Sequence, residues 1–386
     1  MAVLYNLGCK LNQYEGYCLR QKYAGDDDVI ILNTCCVTRE AETRSIRRFK
    51  HLARKFPDKK IIVTGCTCRL LPHEFSNAHL IIDNIRRNGI IDGIFPLPDR
   101  SRFFLKIQDG CNGKCSYCVV PYLRDVISSK PFARIREEID WAIKCGFNEI
   151  VLVGANIGLY GLDSGSSLTA LARELGSIPD LPRIRLSSIE PTFIIADLVS
   201  ALKGLPLCRH FHIPIQSADD DILRVMNRGY TVRELAEKIE LLDRSFPDAG
   251  LGADIIAGFP GEDNERFKNT YRFIREQPFM HLHIFPYSPR PVTKAYELGD
   301  PVSTTEKKKR LWELKNLIKD KNKVFRQAML GKAYQVTVER KKDRLYGLSD
   351  TYVRVLINEG EEKDLRLVRI TSVSDRETAG VVVGHE

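Results

Sequence analysis

The stretch from Phe103 to Pro121, FFLKIQDGCNGKCSYCVVP, sets Cys111, Cys115 and Cys118 in a C-x3-C-x2-C loop directly after an apolar, strand-like run. A cube of four irons and four sulfides takes one ligand per iron, and thiolate is its usual protein ligand. Three thiols in one short loop would hold three irons and leave the fourth open to a small molecule. Zinc ribbons pair a C-x2-C with a second such pair or with two histidines, and this loop offers neither. The flanking glycines Gly110 and Gly113 and the aromatic Tyr117 fit the same reading.

A second set of thiols is spread through the first part of the chain. Cys9, Cys35 and Cys66 each come directly after a strand-like run: VLYNLG (3–8), VIILNT (29–34) and KIIVTG (60–65). In open α/β sheets the crevice beyond the carboxyl ends of the strands is where ligands bind. Three strands would bring these three cysteines to one spot, which reads as a second cluster site.

The elements that must position these residues are legible from pattern. Residues 1–98 read as a small α/β domain, with a fourth run, HLIID (79–83), and a basic, helix-compatible stretch, AETRSIRRFKHLARKF. Alternating strands and helices predict a parallel, doubly wound sheet. Pro96 and Pro98 mark a boundary. Residues 99–327 contain six strand-like runs, FFLKIQ (103–108), EIVLVG (149–154), RIRLSS (183–188), HFHIPIQ (210–216), GADIIAGF (252–259) and HLHIFPY (281–287), separated by amphipathic stretches. Six such units predict a partial (β/α)6 barrel, whose site lies at the carboxyl ends of its strands. The cysteine loop follows the first strand. Other strand ends carry polar groups able to hold a small molecule at the open iron: Gly154 and Asn156, then Ser187, Ser188 and Glu190, then Gln216 and Ser217. His212, His281 and His283 lie within strands and read as core histidines. Residues 303–327 predict a basic helix with Trp312, Leu314, Leu317 and Ile318 on one apolar side. Residues 328–386 hold short β-rich runs and predict a small antiparallel barrel of about five strands.

Composition limits the function classes. The 386 residues carry ample apolar content for real cores, and no run of about 18 uncharged apolar residues predicts a membrane span. No secretory signal is evident at the N-terminus, and eleven cysteines at strand ends in a large chain read as cluster ligation in a reducing cytoplasm rather than as disulfides. The net charge of +9 is local: residues 39–60 and residues 303–326 each carry nine Lys/Arg against three Asp/Glu. Such stripes are the footprint of a polyanion partner. Residues 328–386 balance at ten of each sign.

The C-x3-C-x2-C loop with an aromatic just before its last cysteine resembles the radical-SAM superfamily. NLGCKLNQYE (6–15), ILNTCCVTREAE (31–42) and IIVTGC (61–66) resemble the three signature segments of the methylthiotransferases within it, and HIPIQSADDDILRVMNRGYT (212–231) and FPYSPRP (285–291) resemble further blocks of that family. The resemblance implies two 4Fe-4S clusters, one on Cys111, Cys115 and Cys118 and a sulfur-handling one on Cys9, Cys35 and Cys66. It implies S-adenosylmethionine (SAM) on the open iron, with Tyr117, Gly154, Asn156, Ser187, Glu190 and Gln216 as its contacts, and a deoxyadenosyl radical that removes hydrogen from an unactivated C–H bond. Cys36 and Cys68 stand where the family has non-thiol residues and read as bystanders. Cys18, Cys145 and Cys208 read as small buried hydrophobes. The last segment resembles the TRAM domain, an RNA-binding barrel.

Within that family, GCKLNQYE most resembles the branch that methylthiolates N6-threonylcarbamoyladenosine at position 37 of tRNA. A second branch, acting on isopentenyladenosine, reads GCQMN there, and a third, acting on an aspartate of a small-subunit ribosomal protein, reads GCPKN. Lys10 and Asn12 to Glu15 favour the first. The implied partners are a tRNA anticodon stem-loop, an electron donor and a sulfur donor.

Overall fold

The structure, a computed structural model, describes residues 2–341 and 344–385. Its first unit runs β1 (Val3–Asn6), α1 (Lys10–Lys22), β2 (Val29–Thr34), α2 (Arg39–Lys55), β3 (Lys60–Gly65), α3 (Cys66–Leu70), β4 (Leu80–Ile82) and α4 (Asn84–Ile91). The four strands are parallel, in the order β1-β2-β3-β4. Every residue of β2 is buried, as a parallel strand covered on both faces must be. Alternate residues divide between two cores: Val29, Ile31 and Ile62 pack under α1 and α4, while Ile30, Leu32, Ile61 and Val63 pack under Phe49 and Leu52 of α2. Helices thus cover both faces, as the doubly wound reading requires.

The second unit begins with β5 (Phe103–Lys106) and a short antiparallel pair, β6 (Gln108–Asp109) with β7 (Ser128–Ser129), which brackets α5 (Val120–Leu123). Then follow α6 (Phe132–Lys144), β8 (Glu149–Val153), α7 (Leu168–Gly176), β9 (Arg183–Leu186), α8 (Ala196–Leu202), β10 (His210–Gln216), α9 (Asp220–Val225), α10 (Val232–Ser245), β11 (Gly250–Ala257), α11 (Asn264–Glu276), β12 (Phe279–Pro286) and α12 (Thr304–Gln327). The six long strands form two parallel sheets, β5-β8-β9 and β10-β11-β12, linked by the isolated bridges Ile184↔Leu207 and Ser188↔His212. The result is an open partial barrel whose strands pack against their helices over one apolar core that includes Phe103, Ile139, Leu152, Leu171, Ile213 and Leu251. The side-chain hydroxyl of Ser303 caps α12 by accepting from the Glu306 N–H at 3.2 Å. Trp312 departs from expectation. It is 65 % exposed while Leu314 is fully buried, because positions two apart lie on nearly opposite sides of a helix.

The last unit is a closed barrel of β13 (Ala333–Lys341), β14 (Arg344–Ser349), β15 (Arg354–Leu356), β16 (Leu365–Val373) and β17 (Thr378–His385), in the order β13-β14-β15-β17-β16. Four of its pairings are antiparallel and the fifth, β15 with β17, is parallel. An odd number of strands cannot alternate direction all the way round a ring, so closure forces one parallel pair onto the expected antiparallel barrel. This unit sits against the starts of the central strands. Glu149 of β8 is clasped by Arg183 and Arg185 of β9, and both arginines also donate to it from across the junction: Arg183 to the carbonyls of Gln335 and Leu348 and to Thr337 Oγ1, Arg185 to those of Ser349 and Asp350.

Candidate active site

β1, β2 and β3 lie side by side, so their carboxyl ends carry Cys9, Cys35 and Cys66 to one edge. Cys9 caps α1, and Cys66 opens α3 after Gly65, whose φ of +96° is open to glycine. The three thiols are close enough to perturb one another. Cys35 is pushed up to about 12 by burial first and then by Cys66 and Cys9, and Cys9 is raised by burial, with Cys66 adding to it.

The second trio lies in the loop between β6 and α5. The Gly113 N–H donates to Cys111 Sγ at 3.3 Å and the Val120 N–H to Cys118 Sγ at 3.4 Å, while Arg228 Nη1 lies 3.2 Å from Cys115 Sγ. A Cβ on Gly113 would stand 3.2 Å from Cys111 Sγ and 4.0 Å from Cys115 Sγ, filling the space the thiols surround. Burial pushes Cys118 up to about 12, with Cys115 and Cys111 adding to it. Thiols so placed ionise only with a cationic partner among them. Neither trio draws its three sulfurs within 4.8 Å of one another, whereas one tetrahedral zinc with Zn–S near 2.3 Å needs sulfurs about 3.8 Å apart. Neither donor set is gathered for a single zinc ion.

One turn, from Val119 to Arg124, joins the two trios. Cys36 and Cys66 pack with Val119 and Leu123 from the turn after Cys118, and the Asn84 side chain donates to the Leu123 carbonyl at 3.2 Å. Arg124, at the end of that turn, donates to Glu15 and Asn12 of α1 and to Asp109 of β6 at 2.7–2.9 Å, and its own carbonyl accepts from the Cys111 N–H. Glu15 also pairs with Arg87 at 2.5 Å and Lys106 at 3.0 Å. Burial would raise its carboxyl, but Arg124, Arg87 and Lys106 outweigh that and hold it at about 2. At the far edge Glu42 pairs with Arg290, and the Arg39 N–H donates to Ser288 Oγ at 3.2 Å.

Over the second trio opens a cavity of about 370 Å³. Of the six residues expected to contact a bound small molecule, Tyr117, Asn156, Glu190 and Gln216 line it. Gly154 and Ser187 do not. Gly154 instead makes room for Gln108, whose Oε1 would meet a Cβ there at 2.8 Å. Ser187 continues the strand pairing through its N–H to the Leu152 carbonyl, and its neighbour Ser188 takes the wall position, since adjacent side chains of an extended segment face opposite ways. Gln216 sits at an irregularity in β10 with φ +67°, a strained setting for a residue with a Cβ. Val37 and Thr38, just past Cys36, complete the rim from the first unit.

Three features escape sequence reading. Arg228, inside the 212–231 block but given no role there, donates to both oxygens of Glu190, to the Pro214 carbonyl and toward Tyr117 Oη, so one guanidinium braces loop and wall. Asp254 lines the cavity and accepts from His212 Nε2 at 2.8 Å and His283 Nδ1 at 3.1 Å. Burial opposes its ionisation, yet the two histidines hold it below the usual carboxylate range. Its one sequence signal was an acid inside the apolar run GADIIAGF. The three histidines thus point into the barrel rather than into the apolar core. Of the extra thiols, Cys68 donates to the Gly65 carbonyl at 3.2 Å while Cys36 is buried beside Cys66, and Cys145, expected to be buried, is half-exposed at the end of α6.

Comparisons with known proteins agree with this architecture. Residues 105–274 match the Radical SAM superfamily and residues 2–85 match Uncharacterized protein family UPF0004. The chain is 33 % identical to Threonylcarbamoyladenosine tRNA methylthiotransferase MtaB of Thermotoga maritima, across 95 % of this chain and 94 % of that protein. It is 34 % identical to tRNA-2-methylthio-N(6)-dimethylallyladenosine synthase of Dehalococcoides mccartyi, across 87 % and 86 %. Among solved structures, the radical S-adenosylmethionine methyltransferase TsrM of Kitasatospora setae superposes with a TM-score of 0.56 at 12 % identity, covering 76 % of each chain, and shares the fold.

Proposed function

The chain belongs to the methylthiotransferases of the radical-SAM superfamily, and from that membership we propose that it adds a methylthio group to C2 of N6-threonylcarbamoyladenosine at position 37 of tRNA. The observation that carries the reading is the pair of thiol trios held together by the Cys118–Arg124 turn, which packs on Cys66 and donates to Glu15 of α1. A plain radical methylase has no use for the trio at the ends of β1, β2 and β3.

In this reading Cys111, Cys115 and Cys118 hold a 4Fe-4S cluster whose open iron takes SAM, and Cys9, Cys35 and Cys66 hold a second cluster. Bound together, these groups supply a carbon radical that removes the C2 hydrogen, and the sulfur and methyl that replace it. The chain's own part is placement. Asn156, Ser188, Glu190 and Gln216 surround the SAM position, Arg228 fixes Glu190 against Cys115 and Tyr117, and Val37 and Thr38 close the rim against water. Residues 1–98 carry the sulfur chemistry, 99–327 the radical chemistry, and 328–386, with the basic helices, the RNA contacts. Arg39, Arg44, Arg47, Arg48 and His51 line a shallow depression on the exposed side of α2, a surface suited to phosphates. An electron donor and a sulfur source complete the system, in a reducing cytoplasm.

The test is nucleoside mass spectrometry of tRNA bearing threonylcarbamoyladenosine after anaerobic incubation with SAM, reductant and the iron–sulfur-loaded protein. The expected product gains one CH2S unit. Formation of 5′-deoxyadenosine with no thiomethylated nucleoside would sink the substrate assignment, and a Cys9→Ala variant that still thiomethylates would sink the role of the first trio.

A further inference from the structure

Trp312 stands in the middle of a cationic stripe on α12. Lys308, Lys309, Lys315 and Lys319 lie four, three, three and seven positions from it and are all exposed, which puts them within about 60° of it around the helix. The acids of this segment are off that face. Glu306 pairs with Arg310, whose side chain is buried, and Glu313 and Asp320 lie about 100° and 80° round from Trp312. Among the described residues no carboxylate pairs with any of the four lysines, and no aromatic or cationic side chain covers the indole ring. A lone exposed apolar residue needs no explanation. An uncovered indole set among unpaired ammonium groups does, because together they match a partner that brings both negative charge and a flat π-face.

The stripe has fixed ends. At one, buried Lys307 donates to the Tyr287 carbonyl at 3.2 Å, and Tyr287 lines the cavity over the second trio. At the other, Lys323 pairs at 2.6 Å with Asp375, between β16 and β17, and the Asn322 side chain donates to the Met280 carbonyl at 3.0 Å. Asp375 also lines a second cavity, of about 400 Å³, where Arg326, Lys341, Tyr346, Arg354 and Arg376 continue the cations and aromatic surface onto the last barrel. The 24 residues of α12 span about 36 Å. Its outer face therefore runs from beside the first cavity to the last barrel, with Trp312 about 8 Å along the axis from Lys307.

We infer that one strand of the tRNA substrate lies along this face, with its phosphates on Lys308, Lys309, Lys315 and Lys319 and one unpaired base stacked on Trp312. The inference rests on the RNA substrate proposed above and gives that substrate a track on the central unit. A paired stem would meet the lysines but keeps the faces of its bases stacked inside the helix, whereas the unpaired bases of a loop offer theirs to an aromatic side chain. A second copy of this chain seated here would press the same lysines together, and like charges so placed oppose association. The face begins beside the cavity wall, so the nucleotides it meets are those near the reacting adenine.

The experiment measures, by fluorescence anisotropy over a salt series, binding of a labelled anticodon hairpin and of a blunt RNA duplex of the same length to the iron–sulfur-loaded protein. Wild type is compared with Trp312→Leu, Trp312→Phe and the double variant Lys308→Ala, Lys315→Ala. Trp312→Leu is expected to weaken the hairpin by about five- to a hundred-fold, the range for one stacked base. It should leave the duplex, and the slope of log affinity against log salt, unchanged, and Trp312→Phe should restore part of the affinity. The lysine variant should reduce the slope by about one to two. A Trp312→Leu protein that binds the hairpin as wild type does overturns the inference while leaving the substrate reading intact. An equal loss on hairpin and duplex, an unchanged slope in the lysine variant, or a dimer in sedimentation that Trp312→Leu dissolves overturns it too. A wild type that binds neither RNA overturns both.

Discussion

Glu15→Gln is the sharpest test of how the two thiol trios are held together. The change keeps the side chain's shape and removes its charge at a position with no solvent exposure. Asp109 would still pair with Arg124 and Lys106 at 2.7 Å, but Arg87, equally buried, has Glu15 as its carboxylate and otherwise donates to Thr64 Oγ1. A carboxyl held at about 2 against an ordinary 4.5 contributes about 3 kcal/mol, and stranding one member of a buried pair costs about 3–5 kcal/mol. The two routes agree. A multi-unit chain has no single unfolding free energy, so the assay is amide hydrogen exchange resolved by mass spectrometry. Peptides from α1 and from Cys111 to Arg124 should open about a hundred-fold more readily in the variant. Glu15 is lowered on folding, so its contribution is complete above pH 4.5 and is lost as pH falls toward 2. The ratio of variant to wild type, corrected for intrinsic exchange, should therefore be flat from about pH 5.5 to 8 and shrink below 4.5. A ratio under about ten at neutral pH, or one that grows on acidification, would refute the reasoning.

Two further outcomes follow from geometry already described. Gly65→Ala places a Cβ 2.4 Å from the Thr34 carbonyl at φ +96°, so the turn into α3 must shift by more than a side chain can absorb. We expect about 2 kcal/mol or more of local strain and, after anaerobic reconstitution, iron falling from about eight per chain toward four; full iron with normal spectra would show that Cys66 tolerates the move. Replacing Arg44, Arg47 and Arg48 by alanine should weaken tRNA binding across sequences and reduce the slope of log affinity against log salt by about two to three. An unchanged slope would place the RNA elsewhere.

Local periodicity made much of this molecule legible. A cysteine that ends an apolar run such as VIILNT is placed by the strand itself, so the edge shared by Cys9, Cys35 and Cys66 needed only that the strands be parallel and adjacent. Strand-end position likewise pointed to Asn156, Glu190 and Gln216, and the cysteine loop to Tyr117, all in the cavity wall. It failed by one residue at Ser187, because past the end of β9 the alternation has no partner strand to fix which side chain faces inward. It failed more deeply at Arg228, Arg124 and Tyr352, whose meaning lies in partners 14 or more positions away. Nothing in NRGY announces a guanidinium that braces a cysteine, and nothing in SDTYV announces a ring at the floor of another unit. The histidines of β10 and β12 looked apolar by company, since a strand of a partial barrel has an inner face that need not be dry.

The clasp of Glu149 by Arg183 and Arg185 has a consequence for how RNA would be handled. Those arginines spend five donor contacts on Gln335, Thr337, Leu348, Ser349 and Asp350, and a Cβ on Gly250 would meet the Thr351 carbonyl at 2.1 Å. The last barrel is therefore riveted to the central one, not tethered by a leash. An anticodon hairpin gripped by both would be gauged against a fixed length, as by a caliper, and a nucleotide one step along the loop would fall short of the cavity whatever its chemistry.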